Sequence, residues 1–399
     1  MLKTYFPDDM VLPKTKNQYS DLSLDDVSEI KNGTIILDYH FNKRGVYDAD
    51  GVLCPDSVLL RWDENPVPAI KCSMPKCDFI NEDVIYLGTA HMFLHFGHFL
   101  IEGVSRMWPL LYKRYASRKV VIALDGKRDI PQFVRKTLVA LGVKDSDIMV
   151  IHKNTRFASV LVPKQSTNIG INILPITGKV FDKISNALGN VKTETYDKIY
   201  LSRAAMNDGR TFGEKNIEKI FSKNGYQVIY PETLSYEHQI TLVKNCRVLA
   251  GAAGSALHLA LFMKPKNRVV QIKRNSVNVQ GLDVQKMICD LRNLDMDWVA
   301  GSIETFPTEH YTRYPQILGV TPQMIKFFDD NGFVYSADDI KPDEIARQEY
   351  ERQLKKYKTH VAYAKILNPF IRIISLFGIT KKGRGKTGDF LRQIFNAEY

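Results

Sequence analysis

The sequence contains no uninterrupted apolar run that reaches the ~18 residues of a membrane-spanning helix, which speaks against an integral membrane protein. It contains no internal repeat and no low-complexity block. The first residues, MLKTYFPDDM, lack the basic-then-apolar pattern of a secretory leader, so a cytoplasmic location is expected. Cysteine is scarce and odd in number: Cys54, Cys72, Cys77, Cys246 and Cys289. Cys72 and Cys77 have no second pair or His cluster to complete a zinc site, so reduced and mostly buried thiols are expected. The strand–turn–helix stretch LAGAAGSALHLALF (249–262) has neither the dinucleotide GxGxxG nor the P-loop GxxxxGK[ST] spacing, and the metalloprotease HExxH is missing.

What remains is an ordinary globular composition. The 399 residues are 44% hydrophobic and 25% charged, neither disordered nor collagen-like. That length allows about two or three domains of roughly 100–200 residues and two full cores. The net charge is +11. Residues 341–399 hold 13 Lys/Arg against 6 Asp/Glu, so most of the excess is a property of the tail. A basic tail suits an anionic partner: acidic lipid, acidic glycan or nucleic acid. No nucleic-acid-binding module is recognisable, so nucleic acid is set aside.

A β-α-β rhythm runs through the chain. VIYLG (84–88), VVIAL (120–124), IMVIH (148–152) and ASVLVP (158–163) read as strands. Apolar spacing over Gly97–Tyr115 reads as a helix, and Pro131 opens another that runs to Leu141. The stretch 171–179 is a candidate boundary. Strands at 198–202, 226–230, 247–251 and 268–272 then alternate with helices at 214–225, 235–245, 255–263 and 282–294. Such alternation predicts an α/β protein with parallel sheets. The expected division is a Rossmann-like unit over 1–175, a second over 176–310, and a helical basic tail over 311–399 packed partly on the first. In open α/β sheets, ligands bind beyond the carboxyl ends of the strands.

Several constellations could carry chemistry there. HMFLHFGHFLIEGVSRMW (91–108) holds His91, His95 and His98. His98 and Glu102, four apart on a helix, share a face. Either could act as a general base. LSRAAMNDGR (201–210) ends a strand and carries Arg203 and Arg210, two guanidiniums able to clamp a pyrophosphate. LAGAAGSALHLALF (249–262) reads as strand, Gly-rich turn and helix, with Gly254 and Ser255 leaving amides free for a phosphate. His258 follows in that helix, equally suited to packing or to binding. In YPETLSYEHQI (230–240), Ser235 reads as an N-cap and Glu232 could meet a sugar hydroxyl pair. Residues 363–379 set Lys and Arg among Ile, Leu and Phe, which suits an interfacial helix at an anionic membrane or a packed helix with snorkelling cations.

HFGHFLIEGVSRMW, YLSRAAMNDGRTFGE, GYQVIYPETLSYEHQI and VLAGAAGSALHLALFMKP, taken together and in this order, resemble glycosyltransferase family 61 over about residues 84–275. The resemblance implies a GT-B fold of two Rossmann-like domains, an inverting mechanism, a nucleotide-sugar donor and no DxD-bound metal. Asp295 and Asp297 do spell DMD, but near the end of the second unit. Carried over by position, His98 and Glu102 match the His and the acidic residue four later in the family's first-domain motif, Arg203 matches the Arg after the strand Ser, and Arg210 and Glu214 match the later Arg and Glu. Gly254 and Ser255 match the donor loop. Glu232 is expected on the donor side, and His95 and Arg106 on the acceptor side. Two departures stand out. Gly213 replaces a common Asn before Glu214, and Ala253 replaces a common His before the loop glycine. The second shifts the expected base to the first unit.

The resulting expectation is a metal-independent, inverting transferase without a cofactor. It would move sugar from a nucleotide donor, expected to be UDP-linked, to a glycan hydroxyl in capsule or lipopolysaccharide synthesis. Its rivals are a nucleotide-dependent oxidoreductase and a non-catalytic glycan- or membrane-binding scaffold.

Overall fold

Runs of β-branched and aliphatic residues, buried on both faces, found two sheets. The structure, a computed structural model, describes residues 1–6, 20–37, 44–62, 67–68, 70–115, 118–206, 210–274, 283–304 and 314–376. In chain order the strands are β1 (Leu2–Tyr5), β2 (Val27–Lys31), β3 (Thr34–Ile36), β4 (Gly45–Tyr47), β5 (Asp78–Thr89), β6 (Lys119–Ala123), β7 (Ile148–Ile151), β8 (Thr155–Pro163), β9 (Thr167–Asn168), β10 (Asn172–Ile173), β11 (Lys198–Leu201), β12 (Thr211–Phe212), β13 (Gln227–Ile229), β14 (Val248–Ala252), β15 (Arg268–Lys273), β16 (Asp295–Ala300) and β17 (Gln316–Ile317). The α-helices are α1 (Ala90–Phe93), α2 (Phe96–His98), α3 (Gln132–Ala140), α4 (Pro175–Leu188), α5 (Glu214–Lys223), α6 (Tyr236–Asn245), α7 (Asp283–Arg292), α8 (Pro322–Asp330) and α9 (Glu344–Leu376).

The first sheet runs β4-β3-β8-β5-β6-β7, with β2 also on β8. Its centre is parallel: β5 pairs with β6 and β8, and β6 with β7. Strands β2, β3 and β4 are antiparallel. The sheet is therefore mixed, where the sequence predicted a parallel one. The antiparallel strands are short and lie in the polar stretch before residue 50, which carries little periodicity.

The second sheet runs β1-β16-β15-β14-β11-β13, and every pairing is parallel. The chain goes from β11 outward to β13, then returns across β11 to β14 and continues to β16. The strand order thus reverses between β11 and β14, and such a reversal opens a crevice at the carboxyl ends. The arrangement is compatible with a Rossmann-like α/β fold.

Three features differ from the expected division. First, residues 2–5 form the edge of the second sheet, because β1 pairs with β16. Second, the expected boundary falls at the start of α4, whose apolar face is buried rather than linking two bodies. One continuous core joins Ile85 and Leu87 of β5, Phe181 of α4 and Leu201 and Leu249 of β11 and β14. Third, α8 and the first part of α9 pack on the second unit. Phe327 of α8 meets the Tyr5 ring edge-on, centroids 5.2 Å apart, and α9 packs on β12 and β17. Of the basic tail, residues 363–376 continue α9, and residues 377–399 lie outside the described residues. Among the described residues no helix is long and apolar enough to cross a membrane.

The expected helix over 97–115 is broken. After α2 come a π-turn (Phe99–Gly103) and 3-10 turns at Val104–Arg106, Trp108–Leu111 and Lys113–Tyr115. Pro109 lacks the amide needed to continue an α-helix, and π-turns often mark functional sites. The helix expected at 255–263 is likewise a 3-10 helix, Ser255–Phe262.

Candidate active site

In the first unit, the π-turn buries Glu102 and leaves His98 half-buried beside it. His98 Nδ1 lies 2.7 Å from Glu102 Oε2. Arg61 grips the same carboxylate with both arms, through Nε on Oε1 and through Nη2 on Oε2 at 2.7 Å. Burial raises the pKa of Glu102, but hydrogen bonds from His98 and Arg61 outweigh it and hold the group below the ordinary carboxylate value. An ionised carboxylate only accepts, so His98 Nδ1 donates to it, and in the neutral ring Nε2 presents a lone pair. Glu102 can thereby fix the orientation of the His98 ring.

His95 is the N-cap of α2; its Nδ1 accepts from the His98 amide at 3.4 Å. Burial, then the charges of His98, Arg203 and Arg210, lower its pKa, so the second unit's arginines reach it electrostatically. Arg106, expected to meet the acceptor, does not. It is fully buried and donates to the backbone carbonyls of Asp56 (2.7 Å), Val58 (2.8 Å) and Pro163 (3.2 Å). It clamps the turn at 55–57 to the end of β8, and its position beneath the π-turn keeps it from solvent.

In the second unit, Arg203 follows β11 and Gly254 follows β14, on the two sides of the strand-order reversal. Gly254 lies close against Arg203: a Cβ there would be 3.0 Å from Arg203 Nη1. The Arg203 loop is held by α5. Glu214 Oε2 accepts from the Arg203 amide at 3.2 Å, and Glu218 Oε2 accepts from Ser202 Oγ at 2.7 Å. Residues four apart lie on one helix face, so one face of α5 fixes the loop. Glu218 also accepts from Tyr230 Oη at 2.7 Å, tying in the motif after β13. Glu214 is buried and accepts from Tyr200 Oη at 3.1 Å. Burial pushes its pKa up to about 7, against the pull of the Arg203 amide, Tyr200 and the charges of Arg203 and Arg274. Glu214 is thus a support beneath Arg203, not a donor-facing group. Gly213 caps α5 at φ +79, a left-handed conformation that Gly and Asn adopt most readily. A Cβ there would also run into the Leu318 backbone carbonyl, which accounts for glycine where the family resemblance has Asn.

Lys273 and Arg274 end β15 on the same sheet edge, and Arg274 Nη1 donates to Thr211 Oγ1 at 3.1 Å. Neither they nor Arg61 was read from the sequence. The position of Lys273 and Arg274 just past a strand was the available signal, the same one that pointed to Arg203. Arg61 lies in an irregular stretch and had none. Glu232 is exposed on the 3-10 turn after β13, and among the described residues no hydrogen bond or ion pair joins it to the cluster. Ser235 caps α6 as expected, accepting from the His238 amide at 3.3 Å.

The two halves meet at Gly97. A Cβ on Gly97 would lie 2.8 Å from Ser255 Cβ and 3.5 Å from His258 Cδ2. The glycine in HFGH therefore lets the His98-bearing turn close onto the Gly-rich turn of the second unit. His91, His98 and Glu102 also have the composition of a cation site, with potential ligand atoms within 4.8 Å of one another. The carboxylate there is already taken by Arg61 and His98. The DMD segment is part of β16, where Asp297 is buried and paired with Arg268.

Fold and site together define an α/β protein whose cations and an oriented histidine converge where a parallel sheet reverses its strand order. The family model described as Glycosyltransferase 61 matches residues 96–270, from the first residue of α2 into β15, and supports a family 61 glycosyltransferase. No curated protein matches the sequence.

Proposed function

We propose that this chain is an inverting glycosyltransferase of GT-B type that uses a nucleotide-sugar donor, UDP-linked by expectation, and a glycan acceptor. The observation that carries the reading is the convergence at the β11/β14 reversal: Arg203 lies against Gly254, and the turn bearing His98 closes onto Ser255 through Gly97. The donor diphosphate lies at the Gly254–Ser255 amides, with Arg203, Arg210 and Arg274 around it. His98 Nε2 takes the proton from the acceptor hydroxyl. The acceptor oxygen attacks the anomeric carbon, the bond from that carbon to the phosphate oxygen breaks, and its electron pair leaves with the diphosphate. Fixed guanidiniums and amides offset the departing charge in place of a metal ion. Attack from the face opposite the leaving group inverts the anomeric centre.

The acceptor is a growing surface polysaccharide, capsule or lipopolysaccharide O-antigen, met at the inner face of the cytoplasmic membrane. The basic tail from residue 363 onward supplies the attraction to anionic lipid. Vesicle pelleting tests this part: salt should release the full chain, and a chain truncated at 362 should not pellet. Equal pelleting by the truncated chain contradicts it. Proton NMR of the reaction with UDP- and GDP-sugars tests the catalytic reading. The expected result is nucleoside diphosphate release with a product of inverted anomeric configuration; retention, or no turnover of any donor, contradicts it.

A further inference from the structure

His258 stands on the 3-10 helix one turn beyond Ser255. Its Nδ1 lies 3.1 Å from Gln285 Oε1. Gln285 is fully buried, and its amide nitrogen donates to Leu257 O at 3.2 Å, so its oxygen is the acceptor facing His258. His258 Nδ1 therefore carries the proton, and Nε2 is left as a lone-pair acceptor. Nε2 has no hydrogen-bond partner among the described residues. Burial lowers the pKa of the ring to about 4, further than the Gln285 hydrogen bond can restore. The residue nevertheless keeps some accessible surface. Its Cδ2, bonded to Nε2, and Ser255 both face the point where a Gly97 side chain would begin.

We propose that His258 Nε2 is a fixed hydrogen-bond acceptor for a hydroxyl of the transferred sugar. The inference rests on the nucleotide-sugar reading and deepens it. A diphosphate at Gly254–Ser255 would set its sugar within reach of the next turn of the same helix. With its Nδ1 proton directed at Gln285 and a lone pair on Nε2, the ring can accept a hydrogen bond from a hydroxyl. An analogue lacking that hydroxyl leaves the buried acceptor unpaired, which discriminates strongly.

Calorimetry on the full chain tests this. UDP, UDP-glucose, UDP-galactose, UDP-xylose, GDP and GDP-mannose are compared first. For the tightest nucleotide sugar, monodeoxyfluoro analogues of each ring position follow. The wild type should bind one analogue at least ~10-fold more weakly than its parent sugar. His258→Phe should bind the two alike, with affinity for the bare diphosphate unchanged, and His258→Gln should recover part of the discrimination. Undiminished discrimination in His258→Phe overturns the inference while leaving the donor reading intact. So does a parallel loss of affinity for the bare diphosphate in a variant whose melting temperature is unchanged. If His258→Phe does not fold, His258→Gln alone decides: reduced discrimination with bare-diphosphate binding retained supports the inference, and undiminished discrimination, or loss of bare-diphosphate binding, overturns it. If the wild type binds no nucleotide sugar, the donor reading fails and the inference with it.

Discussion

Two buried carboxylates, one in each unit, are held in opposite ways. Glu102 is gripped by a bidentate Arg61 and by His98, and stays ionised below the ordinary carboxylate value. Glu214 has arginine charge nearby, but burial dominates and lifts it to about 7. The difference separates two tasks. A carboxylate that must orient an imidazole needs a matched counter-ion in contact. A carboxylate that supports a loop can do so by accepting from an amide and a phenol. The two also have opposite links to stability. For Glu102, stability is present above the ordinary carboxylate pKa and lost as pH falls through its lowered value. For Glu214, stability is fully present at low pH and lost as pH rises from about 4.5 to about 7.

Removing the imidazole should have the largest effect. His98→Asn is expected to lower kcat by about 10²–10⁴, with donor binding retained. Glu102→Gln should fall less and keep an acid limb in its pH–rate profile that His98→Asn lacks. If Glu102→Gln matched His98→Asn at every pH, Glu102 would be the base itself. Next, Arg203→Ala should add about 2–4 kcal/mol to the barrier and weaken binding of the bare diphosphate. Wild-type turnover by that variant would move the leaving group elsewhere.

The opposing pH links sharpen the contrast in a third way. In urea titrations, the stability difference between wild type and Glu214→Gln should change by about 3 kcal/mol between pH 4.5 and pH 8, in favour of the variant at high pH. A flat difference would mean that Glu214 is not desolvated. The smallest expected effect concerns the join. Gly97→Ala should destabilise by about 1–3 kcal/mol, because the new methyl meets Ser255. It should also lower activity through a displaced turn, and a neutral outcome by thermal melting and activity together would show that the two motifs do not press on each other.

Much of this was legible in the sequence. The strands of the second sheet follow from apolar runs, and Arg203 and Gly254 from their places just past strand ends. The His98–Glu102 pair came from a spacing of four, although a π-turn rather than an α-helix delivers it. What escaped depended on long-range packing. Arg61 reaches Glu102 across 41 residues of sequence. Arg106 looked like a site residue because it sits in the motif, but three backbone carbonyls far away in the chain claim it. Strand β1 joins the second sheet through pairing with a strand almost 300 residues on, which no local pattern encodes. The π-turn itself has no period that apolar spacing would reveal.

The central claim is that a nucleoside diphosphate is held at the β11/β14 reversal by Arg203 and the Gly254–Ser255 turn through fixed charge and amides. Calorimetric titration of UDP and GDP into wild type and Arg203→Ala, each with and without EDTA, tests it most directly. The account predicts binding of at least one of the two that EDTA leaves unchanged and that Arg203→Ala weakens at least ~10-fold. Binding abolished by EDTA, or indifferent to Arg203→Ala, would contradict it.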